Sequence, residues 1–344
     1  MCDFEAARPP SLVPVQELGR LLRLRFVRAP YFVDASRRLK FVVAVSDEAG
    51  EPLSTADVGQ LGVSAEVVCA DGSCAEAATL TPLEGPFCKW SGAAAAPADH
   101  ACKVRVRATR SDGTALPALD VLSVVSAPTT ASDGGPSFHA ERIFSTPSGD
   151  VFVREEFGLA IGAHVWNAGV VLAQYLVVDA ASSRPDALRG RTGLELGSGC
   201  GLSGIVAARL GANMVLSDRQ DSQLALLRHN AALSGARIDS TMTLDWTRPL
   251  DAEPALNVLD LVLAADVLYC DEPSNRALLE LLCRLASPRT EILVAYTMRN
   301  AEHGPPGSAA PHPFFRAAEG HFDVSCVAAV RNVTVVRLNA CRAT

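Results

Sequence analysis

Glu195-Leu196-Gly197-Ser198-Gly199-Cys200-Gly201 is the stretch on which the fold turns. An apolar run at 192–196 leads into it, and a segment at 202–210 with Ala, Val and Leu on one face leads out. That is a strand feeding a helix through a glycine turn. Glycines there let the backbone bend sharply and approach a ligand closely. A second strand is expected at 213–217, and Asp218 follows it. An acid about twenty residues beyond such a turn is placed to accept hydrogen bonds from ribose hydroxyls. These cues leave alternatives open. Gly199-x-Gly201-x-x-Gly204 also fits a dinucleotide fingerprint, and glycine turns occur where nothing binds.

Strand and helix continue to alternate downstream. A helix is predicted at 220–233, strands at 240–244 and 260–265, a helix at 273–286, and a strand at 291–296. The 260–265 run is almost wholly apolar, as in a strand covered on both faces. Leu278, Leu281, Leu282 and Leu285 recur at helical spacing. Residues 322–338 read as two strands around Arg331-Asn332. Such alternation predicts a mostly parallel sheet, to which a final pair can add an antiparallel edge.

Upstream the pattern changes. Short β-like runs at 39–45, 63–69, 103–107 and 119–125 are separated by turn signals, and a hairpin is predicted over 142–156. Lys103-Val104-Arg105-Val106-Arg107 alternates strictly, as a strand with one wet face does. An antiparallel, sandwich-like β module is expected over 1–135, with the α/β domain over 136–344. Residues 92–99 and 126–137, rich in small residues, Pro and Gly, read as linkers. No catalytic motif stands in the β module.

About half the residues are apolar (49%), 20% are charged, and the formal net charge is -7. That balance is globular, and its sign is a poor match for a phosphate backbone, so no nucleic-acid partner is expected. The N-terminus lacks a basic and an apolar region, and no apolar run approaches a membrane span. A monomer without a membrane partner is expected, in the cytoplasm, with the nucleus as a second compartment. Ten Cys are scattered without paired C-x-x-C spacing, so no metal is expected and free thiols are the default.

Five blocks together are more specific than any one. They are Gly162-Ala163-His164-Val165-Trp166; 188–202 with its glycine turn; Leu216-Ser217-Asp218-Arg219; Leu244-Asp245-Trp246; and Ala264-Ala265-Asp266-Val267-Leu268-Tyr269. In this order, from about 161 to 338, they resemble the class I S-adenosylmethionine-dependent protein-lysine methyltransferases of the METTL type. Cys200 stands where that family usually has Thr, a mild departure.

The resemblance implies a class I methyltransferase Rossmann-like sheet, S-adenosylmethionine as cofactor, and a protein lysine as methyl acceptor. It implies that Gly197, Ser198 and Gly199 line the methionine part of the cofactor and Asp218 the ribose, with Glu195 also among the cofactor-binding residues. Asp245 and Trp246 would take the adenine, and Trp166 and Ala265 would complete the pocket. Asp266 and Tyr269 match the family's D-x-x-Y motif and are the expected catalytic pair, the acid orienting a cationic lysine and the phenol its nitrogen. Glu155, Glu156, Asp271 and Glu272 are candidates for negative charge at the substrate mouth, and Phe314-Phe315 either for its wall or for a helix anchor. By analogy the protein partner is a chaperone, a translation factor or an AAA-type ATPase. A histidine or small-amine methyltransferase, or a binding module that has lost catalysis, is the alternative. Nucleic-acid amino-methylating enzymes typically carry an N-P-P-Y-like motif where this chain has Asp266-Val267-Leu268-Tyr269.

Overall fold

The computed structural model describes residues 23–33, 38–46, 53–54, 61–69, 75–85, 88–95, 101–110, 123–126, 139–146, 149–156, 161–182, 186–248, 259–269, 271–299, 303–330 and 332–341. The turns expected at 47–50 and 111–113, most of the 126–137 linker, and the hairpin tip at 147–148 lie outside them. Gly19–His164 forms one unit, and Val165–Thr344 belongs to a second.

The first unit is one antiparallel sheet of nine strands, ordered β1-β2-β5-β4-β3-β6-β7-β8-β9. These are β1 (Arg23–Val33), β2 (Arg38–Ser46), β3 (Leu61–Cys69), β4 (Ala75–Pro82), β5 (Lys89–Ala95), β6 (Cys102–Arg110), β7 (Ser123–Ser126), β8 (His139–Thr146) and β9 (Gly149–Glu156). The sheet folds back on itself, so the Arg142 guanidinium of β8 donates to the Leu24 carbonyl of β1. Leu39, Phe41, Val43, Val67, Val104 and Val106 are enclosed between the layers. Inward residues alternate with outward ones along β2 and β6, as period-two patterning requires.

Three features differ from the sequence expectation. Residues 89–95, which take in the first half of the linker expected at 92–99, form β5 between β2 and β4. The small residues are there for packing: a Cβ at Gly92 would run into the Phe41 ring. The boundary also moves. β7 pairs with β8, so the hairpin belongs to this sheet, and the units divide after His164 and not after 135. The composition change near 126–137 marks a connection between strands, not between domains. Cys69 is disulfide-bonded, whereas Cys88, Cys102, Cys200, Cys283, Cys326 and Cys341 carry the expected free thiols.

The second unit is a seven-stranded sheet, β12-β11-β10-β13-β14-β16-β15. Its strands are β10 (Thr192–Leu196), β11 (Asn213–Asp218), β12 (Ser240–Thr243), β13 (Leu261–Ala265), β14 (Glu291–Thr297), β15 (Phe322–Val330) and β16 (Val333–Ala340). Six strands point the same way, and β16 enters antiparallel between β14 and β15. This is the class I methyltransferase order. A doubly wound dinucleotide sheet has no such inserted strand.

The helices are α1 (Asn167–Ser182), α2 (Leu202–Arg209), α3 (Asp221–Leu233), α4 (Glu272–Leu285) and α5 (Pro313–Ala318). Helix α4 is amphipathic and buries Leu278, Leu279, Leu281, Leu282 and Leu285. Asp271 caps it by accepting from the Ser274 amide at 3.1 Å. Helix α1 has no place in the sequence reading. Ala168, Val170, Val171, Leu172, Ala173, Tyr175, Leu176 and Val177 are all buried, so it lacks the polar face that makes a helix legible.

Candidate active site

Four of the five sequence blocks converge on one edge of the second unit's sheet, and Trp166 of the fifth stands under the Arg299 guanidinium there. The carboxyl ends of β10, β11, β12, β13 and β14 carry, in turn, the glycine turn, Asp218, Asp245-Trp246, the Asp266–Tyr269 turn and Thr297–Arg299. β10 and β13 are neighbours, with Leu196 opposite Ala264. The glycine turn and the Asp266 turn therefore leave the sheet side by side. This is the crevice in which open α/β sheets bind ligands.

Three glycines carry the first turn. Gly197, Gly199 and Gly201 have φ of 60°, 53° and 82°, a region that side chains disfavour. Above Gly197 a Cβ would meet Val267 at 3.0 Å and the Trp246 ring at 3.5 Å. The turn is braced from below. The Ser198 amide donates to the Ser217 carbonyl at 2.8 Å, and the Gln223 amide group to the Gly199 carbonyl at 2.9 Å. Asn230 donates to the Cys200 carbonyl at 3.0 Å. That contact involves only the backbone of Cys200, so Cys is accepted where the family usually has Thr.

Asp218 links two strand ends: the Gly199 amide donates to its Oδ2 at 3.1 Å. A carboxylate has about four acceptor positions, so this one keeps capacity for a diol. Trp246 is half-buried, and its indole N–H donates to Ser274 Oγ at 3.3 Å. Asp245 beside it is occupied by Thr247, whose hydroxyl and amide donate at 2.6 and 3.0 Å. Those bonds, with Arg248, hold its carboxyl below the usual range. Trp166 stands just before α1, and Ala265 ends β13.

Glu195 is the cofactor test of this crevice. It is buried, and its Oε2 has no hydrogen-bond partner. Burial pushes its carboxyl up to about 7, against hydrogen bonds from Ser198, the Gly204 amide and Ser203 that pull it down, while the Asp218 charge adds to the rise. A buried carboxyl with one oxygen incompletely satisfied gains from a further donor or a cation. The α-ammonium of a methionine-type ligand is such a group, so the donor set fits S-adenosylmethionine.

At the opposite wall of the crevice, Asp266 and Tyr269 differ sharply. Tyr269 is 53% exposed. Asp266 is buried and, among the described residues, is the one non-glycine with positive φ, 57°. Its carboxylate is surrounded by donors. Thr297 contributes its amide to Oδ1 and its hydroxyl to Oδ2, each at 3.3 Å. Arg299 adds a two-pronged contact, 3.0 Å to Oδ1 and 2.7 Å to Oδ2. The guanidinium also lies 5.8 Å from the centre of the Trp166 ring, within cation–π range.

Sequence reading missed Arg299 and His312, which lie after β14 and before α5 with no motif around them. His312 accepts from the Phe314 amide at 3.1 Å and is hydrogen-bonded to the Leu268 backbone, inside the Asp266–Tyr269 turn. Burial, helped by His303, lowers its pKa to about 4, so the ring is neutral near pH 7.

The charges expected at the substrate mouth separate. Glu155 is buried in the first unit, paired with Arg142. Asp271 caps α4, and Glu272 pairs with Arg276 at 2.7 Å. Phe314 and Phe315 are buried and anchor α5 in the core with Tyr296.

With the geometry in place, a family model described as lysine methyltransferase matches residues 146–318. The chain belongs to the lysine methyltransferase family. Protein N-lysine methyltransferase METTL21A of Danio rerio is 35% identical over 144 residues, 41% of this chain and 63% of that protein. METTL21A of Mus musculus is 34% identical over 175 residues, 49% of this chain and 77% of that protein. Human EEF2KMT, a protein-lysine N-methyltransferase, is 31% identical over 190 residues, 48% of this chain and 56% of that protein. The chain thus spans less than two thirds of the zebrafish and human relatives.

Proposed function

We propose that the chain transfers a methyl group from S-adenosylmethionine to the side-chain nitrogen of a lysine in a protein. The observation that carries this reading is the pairing of two unlike walls in one crevice. One wall is a glycine turn with a lone buried Glu195 oxygen and Asp218; the other is the Asp266–Tyr269 turn. Family membership supports the lysine acceptor.

The cofactor, when bound, supplies an electrophilic methyl on a sulfonium. The chain's residues do the rest by placement. Gly197 to Gly199 would admit the ligand close to the backbone, Glu195 would take its ammonium, Asp218 its ribose, and Trp246 with Asp245 its base. Trp166 and Ala265 close the pocket. Tyr269, exposed at the rim, meets the incoming lysine and positions its nitrogen in line with the methyl. A lysine nitrogen can accept a methyl only through a free lone pair, so these residues would have to receive the lysine as the neutral amine. Alignment supplies most of the rate in such a transfer.

We further propose a protein partner of the chaperone, translation-factor or AAA-ATPase type, met by a monomer in the cytoplasm or nucleus. Tritiated S-adenosylmethionine added to an extract lacking this enzyme tests the reading. Tritium on lysine of a discrete band supports it, and tritium confined to histidine or small molecules replaces the acceptor.

A further inference from the structure

We infer that Arg299 is a positioning residue that removes Asp266 from the role of counter-ion to the substrate lysine. The inference rests on the methyltransferase reading above and deepens it. A carboxylate offers about four acceptor positions. Thr297 and Arg299 fill four on Asp266, two on each oxygen. An arriving ammonium finds none open.

Displacing Arg299 is the other route, and it is disfavoured. Lysine is a point cation and cannot reproduce a two-pronged guanidinium contact. Arg299 would also give up the Trp166 face. The clamp therefore persists in the working enzyme, and it does two things. It holds the left-handed Asp266 backbone, and with it the turn that carries Tyr269 to the rim. It also neutralises a buried anion beside the reacting nitrogen. A bare carboxylate there would favour the charged lysine, which has no lone pair to donate. Asp266 and Arg299 together leave the amine neutral at lower pH than Asp266 alone would.

The groups around this turn are few among the described residues. Thr297 and Arg299 come from the end of β14, and Trp166 from the segment before α1. Tyr269 lies on the turn, and neutral His312, with His303 beside it, lies behind Leu268. Asp271 and Glu272 open α4, held by Ser274 and Arg276.

The test compares wild type with Arg299→Met, Arg299→Lys, Asp266→Asn and the Asp266→Asn/Arg299→Met double variant. Initial rates of tritium transfer into the extract protein that wild type labels are followed from about pH 6.5 to 10. With Arg299→Met, the pH at which the rate levels off should rise by about one, the lower end of the effect of an unscreened opposite charge. The double variant should bring it back, because the anion is gone. Arg299→Lys should fall between, and it serves as the readout if Arg299→Met does not fold. A uniform rate loss with the levelling pH unchanged would overturn the inference and leave Arg299 a structural prop. So would a variant faster than wild type, which would make Arg299 a competitor of the lysine. Wild type is run first: a wild type that labels no lysine defeats the function reading itself, and this inference falls with it.

Discussion

Replacing Glu195 by Gln tests the cofactor wall through stability. Burial holds the Glu195 carboxyl at about 7, against an ordinary 4.5. Between those values the folded chain keeps a proton that the unfolded chain has released. The contribution of this group is therefore fully present below about pH 4.5 and is lost as pH rises through about 7. At about 1.36 kcal/mol per pH unit, the loss by pH 8 is about 3 kcal/mol. His312 works in the opposite sense. Its pKa is lowered from 6.5 to about 4, so its contribution is present above 6.5 and is lost as pH falls through about 4. The two gradients overlap and oppose each other, which makes the contribution of this pair in the wild type shallow across mildly acidic pH. Glu195→Gln removes one arm. Relative to wild type, the ligand-free variant should gain about 3 kcal/mol between about pH 4.5 and pH 8, whatever fixed offset the amide brings. Hydrogen exchange of peptides from β10 and β11 in graded urea reads this locally, without assuming that both units unfold together. The same variant should bind S-adenosylmethionine about 10- to 100-fold more weakly, the worth of a charged hydrogen bond. Parallel stability curves for the two proteins would refute the buried, proton-holding carboxyl.

Asp218→Ala should abolish cofactor binding in calorimetry, whereas Asp266→Ala should retain binding and lose turnover; equal loss of binding in both would show that the two walls are not separate. Gly92→Ala should destabilise the first unit by about 1–3 kcal/mol through overpacking against Phe41, read by urea unfolding at Trp90. A chain cut near 160 should keep parental cofactor affinity and lose activity on its protein substrate, whereas a cut near 137 should aggregate, because it strips β8 of its β7 partner and bares a sheet edge. Unchanged kinetics on the protein substrate after the cut near 160 would show that the β module plays no part in activity.

The second unit was largely legible because its signals are local and repeated. Glycine turns, apolar runs and the α4 stripe each state their element within a few residues. The first unit was less so. Residues 92–95 resemble a linker when read alone, and the Phe41 ring of the neighbouring strand explains the glycine among them. The hairpin's allegiance rests on the β7–β8 pairing, which no composition change reports. The motif residues of the site were found through five spaced blocks. Arg299 and His312 were not, because each acts on the Asp266 turn from a distant element, and a lone Arg or His carries no spacing signal. The carboxylate of Asp266 is the instructive case. Its motif alone reads as an acid orienting a lysine; the fold surrounds it with four donors.

The most direct test of the central claim is acid hydrolysis and mass spectrometry of the protein band labelled by tritiated S-adenosylmethionine in the extract. The account predicts methyl-lysine in a discrete protein, absent with Asp266→Ala although that variant still binds the cofactor. Methyl-histidine, label only in small molecules, or no label from a chain that binds the cofactor would contradict it.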